Sequence, residues 1–212
     1  MKRKLGTFCM IVGTALIIAA LSLFLYNKVE EKKAGVSSEN VVETLRQDIL
    51  PEGTTLTDTS EDENLNSAPF VIEKGREMSS IEIDGENYIG YVRIPDIGLY
   101  LPVQKEWSYA GLKISPGRFY GNLYSDDLVI AGHNYDSHFG RLCLLSMGAE
   151  VDFIDVEGTI WRYTVSDLET LAPTQVEDMV AKQEGDDWNL TLFTCTPGGR
   201  ARYALRCVRV KY

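Results

Sequence analysis

Two histidines, His133 and His138, and four cysteines, Cys9, Cys143, Cys195 and Cys207, are the chain's only imidazoles and thiols. Two of them end similar stretches: "DLVIAGH" closes on His133 and "NLTLFTC" closes on Cys195. Each stretch is a short apolar run of the kind a buried strand needs. If those strands lie side by side and parallel, an imidazole and a thiol emerge at one end of a sheet. A thiol with a pKa of about 8.5 is mostly protonated at neutral pH, and the thiolate is the species that attacks carbonyls. A neighbouring imidazole can take that proton or protonate a leaving amine.

The residues after Cys195 supply a cation. Thr196-Pro197-Gly198-Gly199 is a tight-turn signal, and "RARYALRCVRV" then returns antiparallel. Alternation sends Ala201, Tyr203, Leu205 and Cys207 one way and Arg202, Ala204 and Arg206 the other. The first set suits the core, so Cys207 is expected to be buried and inert. Arg202 opens the other face beside the Cys195 end, Arg206 is the weaker candidate farther along, and Arg200 is expected to be solvated in the turn. A guanidinium at that place can steady the oxyanion that develops on an attacked carbonyl. Cys195, His133 and Arg202 at one mouth suffice for acyl transfer. No aspartate partner stands out by spacing.

Blander readings compete with this one. A lone cysteine on a strand is usually a small core residue, and a histidine after a strand is usually a hydrogen-bonded loop residue. His133, His138 and Cys143 are spaced by five, with Cys195 as a conceivable fourth metal ligand, but that spacing matches no common zinc pattern. A Cys195–Cys207 disulfide would need sulfurs that the alternation points apart. Three cysteines follow the apolar N-terminal run, and an odd count leaves at least one outside any intrachain pair.

These side chains need a scaffold, and the chain of 212 residues supplies about 140 for it, roughly one domain. Leu5 to Tyr26 is an uncharged apolar run of 22 residues, long enough as a helix to reach roughly 33 Å and span a bilayer core. Met1-Lys2-Arg3-Lys4 precedes it, so the positive-inside rule keeps the N-terminus cytoplasmic. The run exceeds a usual signal-peptide core and no clear A-x-A site closes it, which favours an uncleaved anchor over a cleaved leader. A polar, acidic stalk is expected over 27–69. One helix is plausible within it: Ser38 as its cap, Val41, Val42, Leu45 and Ile49 on one face, and Pro51-Glu52-Gly53 as its stop.

Residues 70–212 are expected to form the folded domain, one able to fold alone. Short strands follow one another there: "YIGYVRIP" and "LYLPVQ" around an Asp96-Ile97-Gly98 turn, then "DLVIAG", "VDFIDV", "GTIWRYTVSDLETL", "NLTLFTC" and "RYALRCVRV". One or two helical turns are expected over Gln175 to Lys182. Many short strands at regular spacing point to a closed or nearly closed β-barrel. The net charge of −10 argues against nucleic acid as a partner. No cofactor is expected. The acidic stretch Glu184-Gly185-Asp186-Asp187 could take calcium, yet reads more simply as a solvated loop.

Several segments together resemble the sortase family of membrane-anchored transpeptidases. Thr191-Leu192-Phe193-Thr194-Cys195 is similar to the family's TLxTC motif, Ala131-Gly132-His133 to its histidine-bearing strand end, and Arg202-Tyr203 to the position of its strand-borne arginine. "YIGYVRIPDIGLYLPV" resembles the opening hairpin, and "LETLAPTQVEDMV" the substrate-recognition connection. The order His then Cys separates the chain from papain-like enzymes. The resemblance implies a mostly β, closed eight-stranded barrel with short helices behind an N-terminal transmembrane helix, its catalytic domain outside the cell. It implies cleavage of an LPxTG-like C-terminal sorting signal on surface proteins. Cys195 would form the thioester, His133 would act as acid and base, and Arg202 would hold the substrate or oxyanion. The acceptor amine would come from a cell-wall precursor or a pilin. Only six residues separate Cys195 from Arg202, a short loop for the family, and no Asp-Pro-Trp-like lid stands in the stalk. The missing lid leans toward wall anchoring. Two alternatives stay open: a membrane-tethered cysteine peptidase, and a catalytically idle surface binding barrel.

Overall fold

The structure, a computed structural model, describes residues 2–49 and 75–210. The Pro51-Glu52-Gly53 stop, the acidic stretch up to residue 69 and the domain start at Phe70 lie outside the described residues.

The strands are β1 (Ile81–Ile83), β2 (Glu86–Ile94), β3 (Leu99–Gln104), β4 (Gly117–Tyr120), β5 (Leu128–Ala131), β6 (Glu150–Asp155), β7 (Ile160–Leu171), β8 (Leu190–Cys195) and β9 (Arg202–Arg209). Their order is β2-β3-β4-β5-β8-β9-β7-β6, and β6 pairs back onto β2 from Asp152↔Arg93 to Asp155↔Gly90. Eight strands therefore close a barrel, with β1 added to the start of β2. Two neighbours run parallel, β3 with β4 and β5 with β8; the other pairs are antiparallel. The expected hairpin around Asp96-Ile97-Gly98 is β2 and β3, joined by a single 3₁₀ turn over Pro95–Ile97.

Alternation sorts each strand into an inner and an outer set. Leu128 and Ile130 of β5, Leu190 and Leu192 of β8, and Leu205 and Cys207 of β9 belong to the barrel core. Val129, Ala131, Phe193 and Ala204, the residues between them, form a separate cluster with Leu171, Met179 and Trp188. Met179 lies in α2 (Val176–Val180), a short helix within the span where one or two turns were expected.

The segment after Tyr26 is not a solvated stalk as far as Ile49. It continues the helix of the apolar run, so that α1 extends unbroken from Lys2 to Ile49. Val41, Val42 and Leu45 are buried against Tyr88, Tyr91 and Ile154 on the outside of β2 and β6. Ser38, expected to start a helix, lies inside this one; its Oγ donates to the Ile114 carbonyl at 2.8 Å. The physical reason is cooperativity: a helix already nucleated by the apolar run extends one hydrogen bond at a time and needs no new cap. Earlier in α1, from Phe8 to Tyr26, the large apolar side chains are exposed, and this helix is long and apolar enough to cross a membrane.

Candidate active site

The site is built on three adjacent strand ends. In the parallel pair β5–β8, Ala131 lies opposite Phe193, and the Gly132 N–H donates to the Phe193 carbonyl at 3.0 Å. Pairing thus continues one residue past β5, which brings His133 and Cys195 to matching rows at the same end. A Cβ on Gly132 would lie 2.3 Å from Cδ2 of Phe139, so glycine lets that buried ring pack against the strand end. In the antiparallel pair β8–β9, Cys195 lies directly opposite Arg202, and the Thr196 N–H donates to the Ala201 carbonyl at 3.0 Å to close the turn. Cys195 follows Phe193 by two residues and Arg202 precedes Ala204 by two, so alternation puts both on the outer face. The structure brings together His133, Cys195 and Arg202.

His133 is half-buried, and its ring stacks on Tyr135 with centroids 3.8 Å apart and planes at 14°. Among the described residues Nδ1 has no hydrogen-bond partner, so no carboxylate orients the ring from that nitrogen. Burial holds its pKa below the ordinary value, Lys113 pushes the same way, and Asn134 opposes both. The ring is therefore neutral at neutral pH, the form a base requires. Cys195 is free and partly exposed. The Arg202 guanidinium donates through Nη1 to the carbonyls of Gly199 at 3.3 Å and Ala201 at 3.2 Å, bracing the turn.

Arg206 shares the outer face but has another use. It is buried, lies opposite Thr191, and donates to Thr191 Oγ1 at 2.9 Å and to the Met179 carbonyl at 3.0 Å. Its Nη2 pairs with Glu169 at 3.1 Å, and the guanidinium lies 4.9 Å from the centre of the Trp188 ring. Arg206 clamps the connection between β7 and β8 onto the barrel. Arg200 is exposed in the turn, as expected.

The other thiols and the second histidine stand apart. Cys207 is buried in the core, where loss of solvation drives its thiol pKa well up, and all four cysteines are free. Cys143 is exposed and donates to the Gly140 carbonyl. His138 is fully buried, its Nε2 3.2 Å from Ser38 Oγ, and burial lowers its pKa to about 4. No three metal-ligating side chains converge among the described residues.

Sequence reasoning missed two features of the site. One is Tyr135, since a stacking partner two residues along a loop leaves no periodic signal. The other is an aromatic ladder outward from β8: Phe193 to Phe119 at 5.1 Å, Phe119 to Trp107 at 5.1 Å, and Trp107 to Tyr109 at 5.3 Å. It ends on Tyr109, which is 81% exposed. Phe193 and Phe119 could have been found as outward positions of their strands.

Known proteins agree with this architecture. The chain is similar to sortase C1 from Streptococcus agalactiae, with 27% identity over 62% of this chain and 72% of that one and a TM-score of 0.53. It is similar to sortase C1 from Streptococcus suis, with 28% identity over 59% and 74% and a TM-score of 0.50. Sortase A from Corynebacterium diphtheriae, 23% identical over 60% and 62% with a TM-score of 0.53, shares the fold. No curated protein matches the chain. A family model for the sortase domain matches residues 92–210. That match takes in β3 to β9 and the ends of β5, β8 and β9 on which the imidazole, the thiol and the guanidinium meet. With more than half of its length inside that match, the chain belongs to the sortase family.

Proposed function

We propose that the chain is a membrane-anchored cysteine transpeptidase that cuts an LPxTG-like sorting signal and joins the acyl part to an amine. The observation that carries this reading is the single outer row of His133, Cys195 and Arg202 on β5, β8 and β9.

The chemistry follows from the row. Neutral His133 takes the Cys195 thiol proton, the thiolate attacks the carbonyl carbon of the signal's threonine, and the carbonyl electron pair moves onto oxygen. Arg202 leaves its turn carbonyls to meet that oxyanion. The tetrahedral intermediate collapses, the carbon–nitrogen bond breaks, and protonated His133 gives its proton to the departing glycine amine. The acyl group is now a thioester on Cys195. An acceptor amine on a cell-wall precursor or a pilin attacks it, His133 takes the amine's proton, and the thiolate leaves. Apolar side chains of the signal fit the Phe193–Phe119 surface two residues from the nucleophile. α1 holds the enzyme in the membrane through its apolar first half, with the basic N-terminus in the cytoplasm.

The test offers the full-length protein a panel of sorting peptides, each with and without amine acceptors, with mass spectrometry of products and of the protein. Ligated product and a Cys195 adduct are expected, and Cys195→Ala should keep the fold and lose both. Hydrolysis alone under every acceptor would favour the peptidase. Turnover that persists in Cys195→Ala would end the cysteine mechanism.

A further inference from the structure

His133 stacks on Tyr135 and its Nδ1 has no partner among the described residues, so the loop that carries Tyr135 bears on how the ring is held. That loop is closed on itself: Phe139 N–H donates to the His133 carbonyl at 3.1 Å, and His138 N–H to the Tyr135 carbonyl at 2.9 Å. Its outer side rests on α1. The Asp136 N–H donates to Glu31 Oε1 at 3.0 Å, and Ser137 Oγ donates to the Glu31 carbonyl at 3.2 Å. His138, the next residue, meets Ser38 Oγ. Between these contacts the backbones come close at Gly35, where a Cβ would lie 3.2 Å from Ser137 Cβ. Glu31, Gly35 and Ser38 are spaced four and three apart, which is one face of a helix. Three consecutive loop residues thus meet three consecutive positions of that face, and Lys28 adds ion pairs to Glu31 at 2.7 Å and to Asp136 at 3.7 Å.

A cleft of about 500 Å³ lies between this part of α1 and the loop, with Tyr26, Glu30, Lys113 and His133 among its walls. The helix that leaves the membrane is therefore a wall of the space beside the imidazole.

We propose that the Glu31–Gly35–Ser38 face of α1 is a positioning element for His133: it fixes the 134–138 loop, and through Tyr135 the plane of the imidazole that serves Cys195. The idea rests on the transpeptidase reading for its role in catalysis, but the mechanical coupling can be measured without it. The seating has a sequence cause. A side chain at position 35 would crowd Ser137, its Cβ 3.2 Å away, so Gly35 eases the close approach of α1, and a charged Glu31 supplies an acceptor for a loop N–H at a charge-assisted strength.

The experiment uses the full-length protein in lipid nanodiscs. Gly35→Val should push the loop off α1 and Glu31→Gln should weaken its hold. Tyr135→Ala should remove the stack, while Tyr135→Phe should keep it. The expected result is a kcat lower by about tenfold in Gly35→Val and Tyr135→Ala, with KM for the peptide within about twofold of wild type. In both, the acid limb of kcat/KM should move up toward the pKa of a free imidazole, about 6.5, as the ring loses its enclosure. Lys28, Glu30, Glu31, Lys113, Asp136, His138, Cys195 and Arg202 are the titratable or charged groups around the ring, and none of them is replaced in these two variants. Tyr135→Phe should restore rate and limb. Wild-type kcat and an unmoved limb in Gly35→Val, even with a lower Tm, would overturn the proposal, because α1 would then only add stability. If the wild-type protein turns over no peptide, the transpeptidase reading fails on its own. The coupling is then read from the NMR titration of His133, assigned by the signal that vanishes in His133→Gln. A shifted pKa in Gly35→Val supports the positioning role and an identical titration removes it.

Discussion

The β8–β9 hairpin presents two arginines on one face, four residues apart, in opposite conditions. At the open end Arg202 faces Cys195, is partly exposed, and donates to carbonyls of its own turn. One row group deeper, Arg206 faces Thr191, is 3% exposed, and has a hydroxyl, two carbonyls, a carboxylate and an indole around it. The lesson concerns satisfaction. A guanidinium whose two terminal nitrogens are already held by fixed partners stabilises a fold, whereas one held by weak, replaceable contacts can turn to a charge that exists only in a transition state.

Four substitutions test that contrast. Arg202→Ala should carry the largest effect, a fall of about 100-fold to 1000-fold in kcat with the melting temperature nearly unchanged. Arg202→Lys should recover little, because the charge is kept and the planar fork is lost. Arg206→Ala should reverse the pattern: a stability loss on the order of 3 kcal/mol by denaturant titration, with kcat per folded molecule within about tenfold of wild type. If Arg206→Ala is the crippled enzyme and remains stable, the roles assigned to the two rows are exchanged. The smallest effect belongs to Cys207→Ala, from the inner face of the same strand. It should cost roughly 1–3 kcal/mol for the cavity and leave turnover intact, which separates a buried thiol from the working one. Peptide ligation assays and denaturant curves on the four proteins would decide all of this.

The β9 part of the candidate row was legible because it depends on strand periodicity. Alternation along "RYALRC" put Leu205 and Cys207 inside and Arg202 and Arg206 outside, and the barrel keeps that division. The pairing of His133 with Cys195 was readable only as a condition, since no local signal says which strands become neighbours; the parallel β5–β8 ladder supplies it. The docking of α1 was hidden for a different reason. Its three buried apolar residues sit among Glu39, Asn40, Glu43 and Thr44, a composition that reads as solvated. A clue lay on the other partner. From Tyr88 to Val92 the residues of β2 are buried without interruption, and a strand buried on both faces has something covering its outside. Arg206's clamp was out of reach, because it depends on carbonyls of the β7–β8 connection that no pattern of side chains announces.

The unbroken course of α1 also sets an altitude. With residues 5–26 in the bilayer, Glu31 stands about 7.5 Å beyond the membrane boundary, at 1.5 Å per residue, and Ser38 about 18 Å. The 134–138 loop is seated between those heights, while Ile49 reaches Gly158 at the far side of the barrel. With α1 upright in a bilayer, the mouth of the barrel would face the lipid and its other end would face away. On the transpeptidase proposal, α1 would act as a ruler: a polypeptide still rooted in the same leaflet would present its scissile bond to Cys195 only if its spacer reaches that height.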